Sequence, residues 1–407
     1  MVFLLNTFPI IFLILHLLYY ILILFKIYLS YFKFELLKMF GTIILIILTS
    51  LLLFCIYRLI LKYHPKLILN KDGQMAKILS NMNSLKKPYK PTPWLFNKHL
   101  QTIYGLRLRG RSSYKPQRED VFFKDGGQVT IEYFVKDNLS PEAPICYIIH
   151  TLGGGSRESC TNFMATYFMK NDYRVVICSC RGCNGSKITS KRLFNGYQTD
   201  DLDTIIKHVN IKYPHAKNRF VIGFSLGSMV SAQYGIDCDE RIIDGIICIS
   251  HTIECDKGLK LIETPLNDKL YYQPMMNSLK HLIKKSPFYT EEEKKHVIKQ
   301  NRFKGYDDLV TSKNMGLNCA EEYYKLLELK PKIRKIKVPT LFIFSEDDPF
   351  SSPDWIPIDE IQKSNYVAFI TTKEGGHTGF CQGFKAKVSY SEEVSLDFCN
   401  TIKNMKN

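Results

Sequence analysis

Met1–Phe25 contains no charged side chain, which argues against an ordinary water-facing N-terminus. The stretch also lacks the basic start, short apolar core and small-residue cleavage site of a secretory signal. The 12 cysteines lack the paired spacing of a zinc site. Their densest cluster, Cys178-Ser179-Cys180-Arg181-Gly182-Cys183, has no second half, so buried or free thiols are expected. A chain this long needs no disulfide framework. The Gly153–Ser156 run lacks the G-x-x-x-x-G-K-[ST] pattern, which argues against a nucleotide-phosphate loop. No nucleic-acid module is present, and the 55 Lys and Arg residues are dispersed. The net charge of +16 is therefore read as suited to an anionic lipid surface.

What is present begins with long apolar runs. Met1–Phe25 is followed by a break holding Lys26, Lys33, Glu35 and Lys38, then by Met39–Tyr57, a second apolar stretch stopped by Arg58. A spanning helix needs about 20 mostly apolar residues. We expect one or two transmembrane helices within residues 1–62, with Met39 as an alternative start, in the endoplasmic reticulum or another endomembrane. Lys and Arg accumulate after the second stretch, although the connecting loop is positive too, so orientation stays open. Residues 63–120 read as a linker and N-terminal segment, and residues 121–407 as the main domain.

Hydrophobic residues make up 45% of the chain, enough for a substantial core. Short apolar runs predict strands at Val129–Val135, Ile145–His150, Arg174–Ser179, Phe220–Gly223, Ile246–Ser250, Thr340–Phe344 and Val367–Thr371. Helical patterns such as Asp200–Val209 lie between them, which predicts an α/β fold with a mostly parallel sheet covered on both faces. No strand pattern occurs between Ser250 and Pro339, so a helical cap over the sheet's carboxyl edge is expected at about 251–335.

Gly223-Phe224-Ser225-Leu226-Gly227 joins a predicted strand to a predicted helix. In that context G-x-S-x-G forms a sharp elbow that holds the serine hydroxyl above the sheet. A serine needs a base to take its proton and an acid to orient that base. On this fold the chain order is Ser, Asp or Glu, then His. Ser-Glu-Asp-Asp-Pro-Phe follows one late strand, and Lys-Glu-Gly-Gly-His-Thr-Gly-Phe follows the next. The candidates are Ser225 as nucleophile, Asp348 as acid and His377 as base, with Asp347 or Glu346 as alternative acids. The glycine-rich turn after the strand at 145–150 supplies oxyanion donors, assigned to the backbone amides of Leu226 and Leu152, with Thr151 as the alternative second donor. This chemistry requires no metal or organic cofactor.

Pro93–Gly105 (P-W-L-F-N-K-H-L-Q-T-I-Y-G), L-G-G-G-S-R-E-S, S-C-R-G-C-N-G-S, G-F-S-L-G-S and E-G-G-H-T-G-F together resemble AB hydrolase family four, the membrane-anchored alpha/beta-hydrolase-domain proteins and their bacterial relatives. The likeness spans roughly Lys90 to Lys385 and lies closer to types one and three than to type two. It implies the alpha/beta-hydrolase fold, a serine esterase with its triad on Ser225, Asp348 and His377, an N-terminal anchor, and phospholipid or acylglycerol substrates at a membrane. Alternative readings are a carboxylesterase, thioesterase or acyltransferase on the same triad, or a non-catalytic membrane scaffold. The chain departs from the family at Ser228, where a glycine is usual, at His150-Thr151 in the oxyanion loop, and in having two apolar segments. Gln382 stands where an H-x₄-D acyltransferase motif needs Asp.

Overall fold

The computed structural model describes residue 16 and residues 19–28, 35–238 and 242–406. The chain divides into two compact units, Met1–Leu61 and Lys62–Asn407.

The first unit contains the helix Glu35–Ile60. Within it Met39–Ile60 is 22 residues long with a mean hydropathy of 2.7. At about 1.5 Å per residue it reaches roughly 33 Å, enough for a hydrocarbon layer of about 30 Å. Most of the expected first span lies outside the described residues; its end belongs to an apolar helix described over Tyr19–Tyr28.

The second unit is built on one nine-stranded sheet. Its strands are β1 (Lys66–Leu69), β2 (Gln117–Phe122), β3 (Gln128–Phe134), β4 (Ile145–Ile149), β5 (Arg174–Cys178), β6 (Arg219–Phe224), β7 (Gly245–Ile249), β8 (Thr340–Ser345) and β9 (Val367–Thr372). The spatial order is β1-β9-β8-β7-β6-β4-β5-β3-β2. Six neighbouring strands from β5 to β9 run parallel, and β1, β2 and β3 pair antiparallel at the two sides. Helices cover both faces, so the central strands are buried on both sides. Alternate residues divide between two apolar layers: Ile145, Tyr147, Ile149 and Val176 face one, and Cys146, Ile148, Val175 and Ile177 face the other.

The seven predicted strands form with ends shifted by a residue or so. Two more strands, β1 and most of β2, fall within residues 63–120, the expected linker and N-terminal segment, and belong to the unit Lys62–Asn407. The segment between β7 and β8 is helical, as expected, with helices including Cys255–Ile262, Gln273–Lys285, Glu291–Lys299 and Ala320–Leu327. These pack on apolar clusters of their own around Tyr272, Ile283, Tyr306 and Tyr323.

Candidate active site

Parallel β6 ends at Phe224 and the helix Leu226–Asp237 begins two residues later. Ser225 alone makes the turn, at φ 52° and ψ −113°. For a residue with a Cβ this backbone costs on the order of 1–3 kcal/mol, so the surrounding packing must enforce it. A Cβ on Gly223 would lie 2.2 Å from the Gly227 carbonyl oxygen, and one on Gly227 would lie 2.4 Å from that of Ile149. Strand and helix can approach this closely only with glycine at both places. Ser228 fits the elbow by hydrogen bonding: its Oγ donates to the Ser225 carbonyl at 2.5 Å. It accepts from Nδ1 of His251 at 3.1 Å. Burial holds His251 well below the usual histidine range, at about 3, so it is a neutral donor.

The loop after β9 carries His377 to this turn. Its Nε2 lies 2.7 Å from Ser225 Oγ, and its Nδ1 lies 2.9 Å from Asp348 Oδ2. Both His377 and Asp348 are buried. The other Asp348 oxygen accepts the Phe350 amide at 2.8 Å, which fixes the carboxylate, and the Phe350 ring packs 4.3 Å from the imidazole. The alternative acids point elsewhere. Asp347 accepts from the Gly376 amide at 2.9 Å and from the Ser345 hydroxyl. Burial raises its pKa, and its bond to the Gly376 amide braces the backbone next to His377. Glu346 pairs with Lys66 at 2.7 Å.

The glycine-rich turn brings Leu152 beside Ser225 and Leu226 at the wall of one cavity. Among the described residues, neither the Leu152 nor the Leu226 amide has an acceptor. The Thr151 amide, the alternative donor, is already committed to Glu158 Oε2 at 3.3 Å. His150 staples this turn to the next loop: the Cys180 amide donates to its Nε2 at 3.0 Å and its Nδ1 donates to the Thr151 carbonyl at 2.7 Å. In the same loop, the buried Arg181 bridges Asp125 and Asp201 at 2.6 and 2.7 Å, which makes it structural.

The sequence reading missed what holds the histidine loop. The helix Lys98–Ile103 and the following turn to Leu108 lie directly on it. Thr102 Oγ1 accepts the His377 amide at 2.8 Å, and Gln101 Oε1 accepts the Cys381 amide at 2.9 Å. A Cβ on Gly105 would come within 2.5 Å of Gly379 Cα. Arg109, next along, grips the buried Glu392 through its two terminal guanidinium nitrogens, at 2.5 and 2.8 Å. The signal was present in the quoted N-K-H-L-Q-T-I-Y-G run and in the glycines flanking His377, but no spacing rule connects them.

Two cavities meet at Ser225. One, about 140 Å³, is apolar, walled by Leu226, Met229, Leu259, Met275 and Phe303. Asp307 also borders it, pushed up to about 6 by burial although Thr311 and Tyr324 donate to it at 2.6 and 2.8 Å. The other, about 900 Å³, is lined by the glycine-rich turn, His377 and several cations. Arg107, Arg111, Arg157 and Lys269 in it have no anionic partner among the described residues.

The profile of the family described as Hydrolase_4, Serine aminopeptidase, S33, matches residues 141–361, more than half of the chain. The chain belongs to this alpha/beta-hydrolase family. This hydrolase is 27% identical to an abhydrolase domain-containing protein of Dictyostelium discoideum, over 78% of its own length and 82% of the relative's. It is 26% identical to the monoacylglycerol lipase of Saccharomyces cerevisiae, over 74% and 78%. It is also 26% identical to the human phospholipase ABHD3, over 83% and 85%. The resemblance read from the motifs is borne out, and the chain is a serine ester hydrolase.

Proposed function

We propose that the protein is a membrane-anchored hydrolase that cleaves carboxylic esters of lipids through Ser225, His377 and Asp348. The observation that carries this reading is the continuous hydrogen-bonded line from Ser225 Oγ through the imidazole to Asp348. In the proposed reaction, His377 Nε2 takes the serine proton as Oγ attacks the ester carbonyl. Asp348 holds the Nδ1–H tautomer and stabilises the imidazolium that forms. The Leu152 and Leu226 amides receive the oxyanion, each lowering the barrier by about 3 kcal/mol. The imidazolium then protonates the leaving alcohol, and an acyl-serine remains. Water, deprotonated by His377, attacks the acyl-serine and releases the fatty acid and free Ser225.

The apolar cavity suits the acyl chain and the polar cavity the remainder of the lipid. Four cations with no anionic partner among the described residues favour a phosphate-bearing head group over a neutral acylglycerol. The lipase and phospholipase names of the relatives support lipid esters as the broad substrate class. The helix Met39–Ile60 supports anchoring in a membrane. The test is a fluorophosphonate probe followed by a lipid panel with released fatty acid read by mass spectrometry. Wild type is expected to label and to release fatty acid, and Ser225→Ala to do neither; a well-folded wild type that stays unlabelled would refute the reading.

A further inference from the structure

The segment that clamps the histidine loop has an outer side that the proposed chemistry does not use. Leu100, Tyr104 and Leu108 recur every fourth residue along it and so share one face. Leu108 is 68% exposed, and Leu100 is exposed as well. Trp94 stands beside this stripe, its ring 4.8 Å from that of Tyr104 and nearly perpendicular to it. The Trp94 indole N–H donates to the Phe384 carbonyl at 2.8 Å, which sets Phe384, 66% exposed, next to Trp94 along the same edge. Exposed aliphatic and aromatic side chains grouped this way mark an interaction surface.

Charge identifies the occupant. From Gly73 to Arg118 the sequence has ten Lys or Arg and no Asp or Glu. Lys98, Arg107 and Arg111 lie on or next to the stripe, and the exposed Arg107 and Arg111 also reach the large cavity. Inward-facing residues of the same segment, Ile103 and Leu106, line that cavity too. One short stretch of chain thus presents an apolar, Trp-edged, cation-flanked face outwards and a wall of the candidate site inwards. Aromatic residues at an apolar-polar boundary, with basic residues beside them, are the pattern that seats a protein in a lipid head-group layer. A lone protein partner would not need the cations or the opening into the cavity.

We infer that Trp94, Leu100, Leu108 and Phe384 form a membrane-insertion edge on the catalytic unit, which seats the mouth of the large cavity on an anionic lipid surface. This inference rests on the lipid-ester reading above and adds a second lipid contact, separate from the apolar helix Glu35–Ile60. The edge exposes the cavity to lipid that has only partly left the bilayer.

The test uses the full chain reconstituted in vesicles of phosphatidylcholine and phosphatidylglycerol carrying bromine-labelled acyl chains. The chain has two tryptophans, Trp94 and Trp355, so a Trp355→Phe background makes Trp94 the sole reporter. Trp94 emission is expected to be quenched, most strongly by bromine near the head groups. Leu100→Asp with Leu108→Asp is expected to lower turnover of vesicle lipid at least about tenfold, while turnover of a short, water-soluble ester stays within about twofold. Leu100→Ser with Leu108→Ser should give a smaller loss in the same direction. Absence of quenching, an equal loss on both substrates, or unchanged vesicle turnover would each overturn the inference. So would a shift in oligomeric state without quenching, which would make the edge a protein interface. Should wild type cleave neither substrate, the ester-hydrolase reading fails, and the quenching arm still decides the edge.

Discussion

Gly105→Ala is the sharpest probe of how the site is held. The residue lies in the clamp, far from the reacting atoms in sequence, and an added Cβ would stand 2.5 Å from Gly379 Cα. Carbon atoms approach to about 3.5–4.0 Å without repulsion. One backbone must therefore retreat by roughly 1.3 Å, and Gly379 is two residues from His377. A misplacement of about 1 Å in a catalytic group costs on the order of 100-fold in rate. We expect kcat on a short-chain ester to fall about 100-fold, equivalent to about 2.7 kcal/mol of barrier, with fluorophosphonate labelling slowed in parallel. KM should change much less, because neither cavity includes Gly105. Alanine favours helix over glycine, so the variant should keep a single cooperative thermal transition. A variant that melts like wild type and retains more than a third of its kcat would refute the claim that this contact positions the histidine.

Three further outcomes separate the roles of neighbouring groups. Asp348→Asn should cut kcat by about 10⁴-fold by favouring the wrong imidazole tautomer, whereas Asp347→Asn, which keeps an oxygen for the Gly376 amide, should lose far less; equal losses in steady-state assays would contradict the assignment. Asp307 is raised from 3.8 to about 6, so its charged form is disfavoured in the fold, and wild type should lose about 3 kcal/mol of stability from this group as pH rises from about 4 to above 6; denaturant titrations of Asp307→Asn should lack that slope. Arg111→Gln with Arg157→Gln should raise KM for a phospholipid about tenfold and leave a neutral short-chain ester unchanged, and equal effects on both would argue against head-group recognition.

Six of the seven strands in the middle of the sheet were legible as mainly apolar runs, and β3, which carries Thr130 and Glu132, as a β-branched and aromatic run; all seven are largely buried on both faces. β2 was not, because Gln117-Arg118-Glu119-Asp120 is an edge strand whose polar side chains face water. β1 is four residues long, and antiparallel pairing with β9 defines it more than its own pattern does. Ser225 and His377 stood out because strand, turn and chain order constrain them jointly. Among Glu346, Asp347 and Asp348, sequence gave only a preference, and the direction of each carboxylate separates them. The clamp was invisible as such: Thr102 and His377 are 275 residues apart, and their contact is specified by packing rather than by any local period.

That separation has a consequence for how the protein comes to life. Ribosomal synthesis delivers Ser225 well before His377, and Glu392, in the helix Tyr390–Lys406, reaches Arg109 later still. Under the proposed triad, a chain cut before His377 has no base for Ser225 and is expected to be inert. Esterase turnover then reports that the 98–109 segment and the histidine loop have found each other.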